Sequence, residues 1–199
     1  MAVSKTIPAE RLRSAVAAGL TTLGENRVQE LAGKAAVLPR VTWHLVGHLQ
    51  ANKARAALEV ASVIQSVDSL ELAQRLDRLL EGEPSPPRPV YLQVNVDDDP
   101  AKAGFAPQDL GAVLPRIAAL PRLQLAGLMT VGRLATTPEA ARPTFLALRR
   151  LSERLRTGEA RLGPGLSMGM TDDFEVAVEE GATIVRVGRA IFGERPPAA

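Results

Sequence analysis

The sequence predicts an α/β fold, a single (β/α)8 barrel of the TIM type that spans residues 1–199 as one domain. Short apolar runs alternate with amphipathic stretches along the chain, a pattern typical of parallel strands separated by helices. The alternation repeats about eight times, the number of units that closes a parallel sheet into a barrel. The chain has 199 residues, at the small end of the range for this fold. An open, doubly wound sheet with fewer strands is the alternative.

Apolar runs bounded by turn residues are predicted as the strands. In chain order they cover residues 3–4, 20–23, 42–46, 60–67, 90–96, 123–129, 165–168 and 183–187. The proline-rich segment 84–87 could pass for a linker between domains. Because the same alternation resumes after it, we expect a surface loop within one domain.

The segments between these strands carry apolar residues at helical spacing, such as Leu12 and Val16 in the first of them. Asn26 and Asp172 precede two of the helices and are predicted to cap them, because Asn and Asp accept hydrogen bonds from free N–H groups there. Pro143 falls in the first turns of the long helix after the sixth strand, where proline is tolerated.

Composition argues against several classes of function. The chain has no cysteine, which rules out disulfides and thiolate metal sites. A net charge of +2 and 3% aromatic residues give no support for nucleic-acid binding. The two histidines, His44 and His48, lie where a strand enters a turn, so no zinc site is expected from them. We see neither an apolar run long enough to span a membrane nor a signal peptide, and expect a cytoplasmic location.

Two glycine-containing turns near the C-terminus predict an anion site. Ser167, Gly169 and Thr171 end the seventh strand and open a helix, and Gly188 follows the eighth strand. Free backbone N–H groups at a helix start, together with hydroxyl donors, favour an anion. In a (β/α)8 barrel the loops after strands seven and eight are a frequent phosphate site. The alternative is that both glycines only make tight turns.

Lys5 follows the apolar pair Ala2 and Val3, so it would emerge at the carboxyl end of the first strand. That end is the catalytic face of a barrel. An amine opposite a phosphate site is what a phosphorylated aldehyde needs in order to be held, and pyridoxal phosphate is the first ligand to test. The alternative is a solvated lysine near a terminus.

Arg186 lies within the last, apolar strand, where a cation must find a partner or reach solvent. The pyridine nitrogen of a bound cofactor is one candidate partner. A carboxylate inside the barrel is the other.

Seven strings of the sequence carry a resemblance to a known family. They cover residues 3–6, 24–30, 43–53, 102–104, 127–129, 166–173 and 186–193. In this order they resemble the pyridoxal phosphate homeostasis protein family over essentially the whole chain. The resemblance implies a barrel like the N-terminal domain of alanine racemase, the fold-type III arrangement. It also implies a protein that binds pyridoxal 5′-phosphate, delivers it to the apo forms of PLP-dependent enzymes and keeps the free aldehyde low, without an established catalytic reaction.

The same resemblance implies roles for individual residues. Lys5 would form the internal aldimine, Arg186 would face the pyridine nitrogen and Asn26 would lie near the ring. The residues implied around the phosphate are Ser167, Gly169, Thr171 and Gly188. Family members usually carry a helix before the lysine strand, whereas here that strand starts at Met1. Either the helix is absent or the true start lies upstream. The sequence does not decide whether the barrel closes at this end.

Two enzymatic alternatives remain. A fold-type III racemase needs a second acid/base across the cofactor, usually a tyrosine from a second domain. Here the single tyrosine, Tyr91, is predicted at the end of the fifth strand away from the site. A Schiff-base aldolase would need a proton shuttle near Lys5, and the motif offers no obvious one.

Overall fold

Eight parallel strands form one sheet in a computed structural model, which describes residues 1–133 and 135–193. Each strand pairs with the next along the chain, from first to eighth. The strands are β1 (Ala2–Val3), β2 (Thr22–Glu25), β3 (Thr42–Leu45), β4 (Val63–Val67), β5 (Arg88–Gln93), β6 (Leu123–Met129), β7 (Gly165–Met170) and β8 (Ile184–Arg186).

Helices separate the strands, as the alternation predicts. The α-helices are α1 (Ala9–Ala17), α2 (Val28–Val37), α3 (Ala54–Val60), α4 (Leu70–Leu79), α5 (Leu110–Ala118), α6 (Arg142–Gly158), α7 (Phe174–Glu179) and α8 (Arg189–Phe192). Two short 3-10 helices, Ala51–Lys53 and Pro138–Ala141, precede α3 and α6. None of the helices in residues 1–133 and 135–193 has the length and apolar character needed to cross a bilayer.

The sheet closes on itself between β1 and β8. Ala2 forms a parallel bridge with Val187, and the Val3 N–H donates to the Val187 carbonyl at 2.8 Å. These contacts confirm the (β/α)8 barrel and exclude the open, doubly wound sheet. The barrel is closed at the N-terminal strand, a point that the sequence did not decide. Apolar residues of the helices fill the outer layer against the strands, with Leu12, Leu31 and Leu148 fully buried.

The fifth strand ends earlier than predicted, at Gln93 instead of residue 96. The side chain of Asn95 donates to the Asp99 and Lys102 carbonyls and accepts from the Asp99 N–H. These bonds turn the chain away from the sheet. The apolar residues after Gln93 therefore belong to a folded loop at the carboxyl end of the strand, although their alternation is typical of a strand.

Candidate active site

A cavity of about 510 Å³ opens at the carboxyl ends of the strands. Five of the seven residues predicted for the site line it. They are Lys5, Asn26, Thr171, Arg186 and Gly188. The lysine near the start of the chain and the turns near its end therefore meet in one cavity, because β1 and β8 are neighbours in the closed barrel.

The other two predicted residues, Ser167 and Gly169, are not among the residues that line the cavity. Ser167 is fully buried inside the barrel. Gly169 has a φ of +87°, and a Cβ at this position would lie 2.4 Å from the Cβ of Ala177. Glycine is thus required where β7 packs on α7. Contact of these two residues with a phosphate stays a prediction.

Lys5 sits in a tight turn directly after β1. The Ile7 N–H donates to the Ser4 carbonyl at 3.0 Å, so Lys5 and Thr6 are the central residues of the turn. Lys5 is half-buried and lines the cavity, as the sequence predicts for the carboxyl end of the first strand. Thr6 has a φ of +68°, a left-handed conformation that is unusual for a β-branched residue.

The two glycine turns lie against each other and against β1. The Gly188 N–H points to the Thr171 hydroxyl oxygen at 3.4 Å. A Cβ at Gly188 would come within 3.2 Å of the Val3 carbonyl oxygen, so the turn after β8 packs closely on the lysine strand. Asp172 and Arg189 form an ion pair that also joins the two turns. The result is a compact group of hydroxyl, N–H and cationic donors that lines the same cavity as Lys5.

Arg186 is buried at the cavity wall and is held by two hydrogen bonds. Its Nη1 donates to the Ser167 hydroxyl at 2.9 Å, and its Nη2 donates to the Thr130 carbonyl at 2.6 Å. Burial lowers the pKa of Arg186 to about 10, partly offset by the charge of Asp173, so the side chain is still a cation at neutral pH. Among the described residues it forms no ion pair with a barrel carboxylate, the alternative left open by the sequence.

A hydrogen-bonded chain continues from Ser167 across the inside of the barrel. The Ser167 hydroxyl donates to Gln65 Oε1 at 2.6 Å, and Gln65 Nε2 lies 2.7 Å from His44 Nδ1. Burial lowers the pKa of His44 to about 4, so its ring is neutral and Nδ1 accepts the amide proton. His44 thus belongs to a buried polar chain. Within the described residues no cluster of His, Asp or Glu could hold a metal ion.

Two capping predictions are wrong. Arg27, not Asn26, directly precedes α2, and Asn26 instead lines the cavity. Asp173, not Asp172, directly precedes α7, and its carboxylate accepts from the Met170 N–H at 2.6 Å. Both errors have one cause: a polar residue at a strand–helix junction of a barrel can face the site as readily as it can cap the helix.

Several other lining residues were not predicted for the site from the sequence. These are Val3, Val46, Val131, Met170, Asp172 and Arg189. Most are apolar residues at strand ends, and only their position at the carboxyl edge of the sheet could have marked them.

Tyr91 lies at the opposite end of the barrel from Lys5. Its hydroxyl is hydrogen-bonded to the side chain of Thr183, which precedes β8, and burial raises the pKa of this phenol. A Cβ at Gly165, the first residue of β7, would lie 2.7 Å from the same hydroxyl. The chain's single tyrosine therefore contacts the amino ends of β7 and β8, away from Lys5 as predicted, although it lies within β5 and not at its start.

Comparison with known proteins agrees with this architecture. Residues 1–196 match the family model described as "Alanine racemase, N-terminal domain". The "Pyridoxal phosphate homeostasis protein" of Pseudomonas aeruginosa is 45% identical over 199 residues, covering 98% of this chain and 84% of that protein. The human protein of the same name is 37% identical over 208 residues, covering 98% of this chain and 76% of that protein.

Solved structures give the same result. PipY of Synechococcus elongatus PCC7942, solved with PLP bound, superposes with a TM-score of 0.89 at 45% identity, covering 97% of this chain and 91% of that chain. An alanine racemase of Clostridium difficile 630 superposes with a TM-score of 0.81 at 15% identity, covering 98% of this chain and 51% of that chain. The second likeness shows a shared fold only.

Proposed function

This chain belongs to the pyridoxal phosphate homeostasis protein family, and from that premise we propose that it binds pyridoxal 5′-phosphate through Lys5 and stores and delivers it. The single observation that carries the proposal is the meeting of Lys5, Thr171, Arg186 and Gly188 in one cavity. The PLP-bound relative at 45% identity supports it independently.

The residues present fit the chemistry of this cofactor. When bound, the cofactor supplies an aldehyde carbon that condenses with an amine. Lys5 provides that amine at the cavity. The Thr171 hydroxyl oxygen accepts from the Gly188 N–H, which leaves the hydroxyl proton for the phosphate. Arg189 lines the same cavity as a second cation and is paired with Asp172.

Arg186 is suited to the pyridine nitrogen because it can only donate hydrogen bonds. It stays charged at neutral pH, and its bonds to Ser167 and Thr130 fix the guanidinium in the barrel wall. A cation at this place keeps the ring nitrogen unprotonated, which weakens the ring as an electron sink for carbanion chemistry.

We therefore propose a carrier without a catalytic reaction of its own. The curated relatives are named as homeostasis proteins. Tyr91, the only tyrosine, lies near the amino ends of the strands and supplies no second acid/base at Lys5. We further propose apo forms of PLP-dependent enzymes as recipients and the cytoplasm as the location.

The test is a titration of the purified, cofactor-stripped protein with pyridoxal phosphate. We expect a visible absorbance band and, after borohydride reduction, one added phosphopyridoxyl group on Lys5 by peptide mass spectrometry. Lys5→Ala should lose both signals while its thermal unfolding stays cooperative. Lys53→Ala, a lysine outside the cavity, is the matched control and should keep both.

Two outcomes contradict the proposal. A Lys5→Ala protein that keeps the wild-type band removes Lys5 from the role. Rapid exchange of the α-proton of an amino acid by the loaded protein in deuterated water, followed by NMR, would favour a racemase instead.

A further inference from the structure

Lys34, Glu25 and Glu30 form an ionic cluster directly behind the turn that carries Lys5. We propose that this cluster is a positioning group, which fixes the two peptide units flanking Lys5 so that its amine is presented to the cavity. The inference rests on the proposed function, because it concerns how the lysine that takes up the cofactor is held.

The cluster contacts the backbone on both sides of Lys5. Lys34 Nζ donates to the Ser4 carbonyl at 2.7 Å, which fixes the peptide before Lys5. Glu30 Oε1 accepts from the Thr6 N–H at 2.6 Å, which fixes the peptide after it. Because a lysine side chain is aimed by the backbone that bears it, these two bonds set the direction in which Lys5 leaves the turn.

The turn needs such support because its backbone is strained. Thr6 occupies the left-handed region at a φ of +68°, which β-branched side chains rarely adopt. Strained residues of this kind persist only where the surroundings over-determine them, and they concentrate at functional sites. Here the bond from Ile7 N–H to the Ser4 carbonyl closes the turn, and Lys34 and Glu30 add one bond on each side.

The ammonium group of Lys34 is fully used by the cluster. Its three N–H donors have three acceptors within 2.7 Å: the Ser4 carbonyl, Glu25 Oε1 and Glu30 Oε1. Glu25 Oε1 also accepts from the Ser4 hydroxyl at 2.7 Å. Lys34 does not line the cavity, so it acts on Lys5 through the backbone and is not a second amine for the cofactor.

Stability alone does not account for this arrangement. Lys34 is 7% exposed and Glu25 is fully buried. Burial raises the pKa of Glu25 despite the lysine beside it, and Glu25 Oε2 finds no partner within the described residues. A buried ion pair often stabilises a fold no better than apolar residues of similar size. The position of this cluster behind the strained turn indicates that it serves to fix the geometry of Lys5.

The experiment compares Lys34→Met and Glu30→Ala with the wild type. In the cofactor-free proteins, amide hydrogen exchange at Thr6 and Ile7 should be roughly tenfold faster or more. Glu30→Ala removes the acceptor of the Thr6 N–H, and Lys34→Met removes the ammonium group that holds the Ser4 carbonyl, the acceptor of the Ile7 N–H, and the Glu30 carboxylate in place. The rate of covalent uptake of pyridoxal phosphate, trapped with borohydride, should fall roughly tenfold to a hundredfold, the usual cost of a misplaced reacting group.

Controls separate geometry from stability. Glu30→Gln keeps a side-chain oxygen for the Thr6 N–H and should recover most of the uptake rate lost in Glu30→Ala. Arg122→Met breaks an ion pair with the buried Asp77 near the amino end of β6. It should destabilise the fold and leave the uptake rate unchanged.

The outcomes are distinguishable from a failure of the proposed function. If the wild type takes up no cofactor, the proposed function fails. The positioning role is tested separately, because amide exchange at Thr6 and Ile7 as slow as in the wild type, in Lys34→Met and Glu30→Ala, would refute it. If the wild type takes up the cofactor and folded Glu30→Ala and Lys34→Met do so at the same rate, the positioning role is overturned. Should Lys34→Met not fold, Glu30→Ala alone decides, since the Glu30 side chain is 26% exposed.

Discussion

The guanidinium of Arg186 and the hydroxyl of Ser167 are joined by a 2.9 Å hydrogen bond inside the barrel. The same hydroxyl donates to Gln65 Oε1, so Ser167 accepts on one side and donates on the other. Ser167 thereby links the arginine at the cavity to a polar chain that reaches Gln65 and His44. This bond helps to hold Arg186 at the wall of the cavity.

This linkage predicts that Ser167→Ala destabilises the protein by about 1–3 kcal/mol, because it leaves Gln65 Oε1 buried without its donor. Ser66→Ala is the matched control: Ser66 is equally buried, yet its hydroxyl finds no hydrogen-bond partner in the part of the chain that the structure describes. We expect that substitution to be neutral within about 0.5 kcal/mol, or stabilising. Urea denaturation measures the free energy of unfolding of both variants. Equal losses of stability would show that the hydrogen bonds of Ser167 do not stabilise the protein.

The architecture and five of the eleven residues that line the cavity were predictable from sequence, because both follow from the regular alternation of strands and helices. Strand–helix alternation gives the barrel, and the barrel brings Lys5 and Gly188 to one cavity. The capping roles predicted for Asn26 and Asp172 were wrong because both residues lie where capping and site positions coincide. The end of β5 was mistaken because Asn95 bonds its own loop.

Lys34 went unrecognised because Glu30 and Lys34 lie at (i, i+4), the usual spacing of a solvated helix pair. The signal that could have revealed it is its position on the apolar stripe of α2, in register with the buried Val28 and Leu31. The sequence does not reveal which groups Lys34 contacts. The Ser4 carbonyl and Glu25 meet Lys34 only after β1 and β2 pair and α2 packs over them.

Gly169→Ala should destabilise the protein more than the same substitution at a left-handed glycine that has open space around it. Gly19 is the matched control, because its φ of +97° is similar and a Cβ there would meet nothing within 4 Å. Gly19→Ala should cost about 1–2 kcal/mol from backbone strain alone. Gly169→Ala adds the clash with Ala177 Cβ and should cost roughly 1–3 kcal/mol more. Thermal or urea unfolding tests this, and equal costs would mean that β7 and α7 adjust freely.

Arg186→Gln should weaken pyridoxal phosphate binding and shift the visible band of the bound cofactor. The amide lacks the charge that keeps the ring nitrogen unprotonated, and loss of a charged hydrogen bond costs roughly tenfold in affinity or more. Spectrophotometric titration gives both quantities. Arg122→Gln, at the other end of the barrel, should change neither. An unshifted band in Arg186→Gln would argue against contact with the ring.

The neutral state of His44 predicts a loss of stability as the pH falls. Burial lowers the pKa of His44 to about 4, whereas an unfolded histidine titrates near 6.5, so between these values the unfolded chain binds more protons than the folded one. Stability that is present above about pH 6.5 is then lost progressively down to about pH 4. Over the interval from about pH 7 to about pH 5 this single group should cost about 2 kcal/mol.

The measurement is the free energy of unfolding at both pH values in three proteins. His44→Gln keeps a side-chain oxygen to accept from Gln65 but cannot take up a proton, so its loss should be smaller than that of the wild type by about 2 kcal/mol. His48→Gln removes the chain's other histidine, which is 58% exposed, and serves as the comparison for loss of an exposed imidazole. Identical slopes in all three proteins would mean that His44 is not buried in its neutral form, and the polar chain from Arg186 would then end at Gln65.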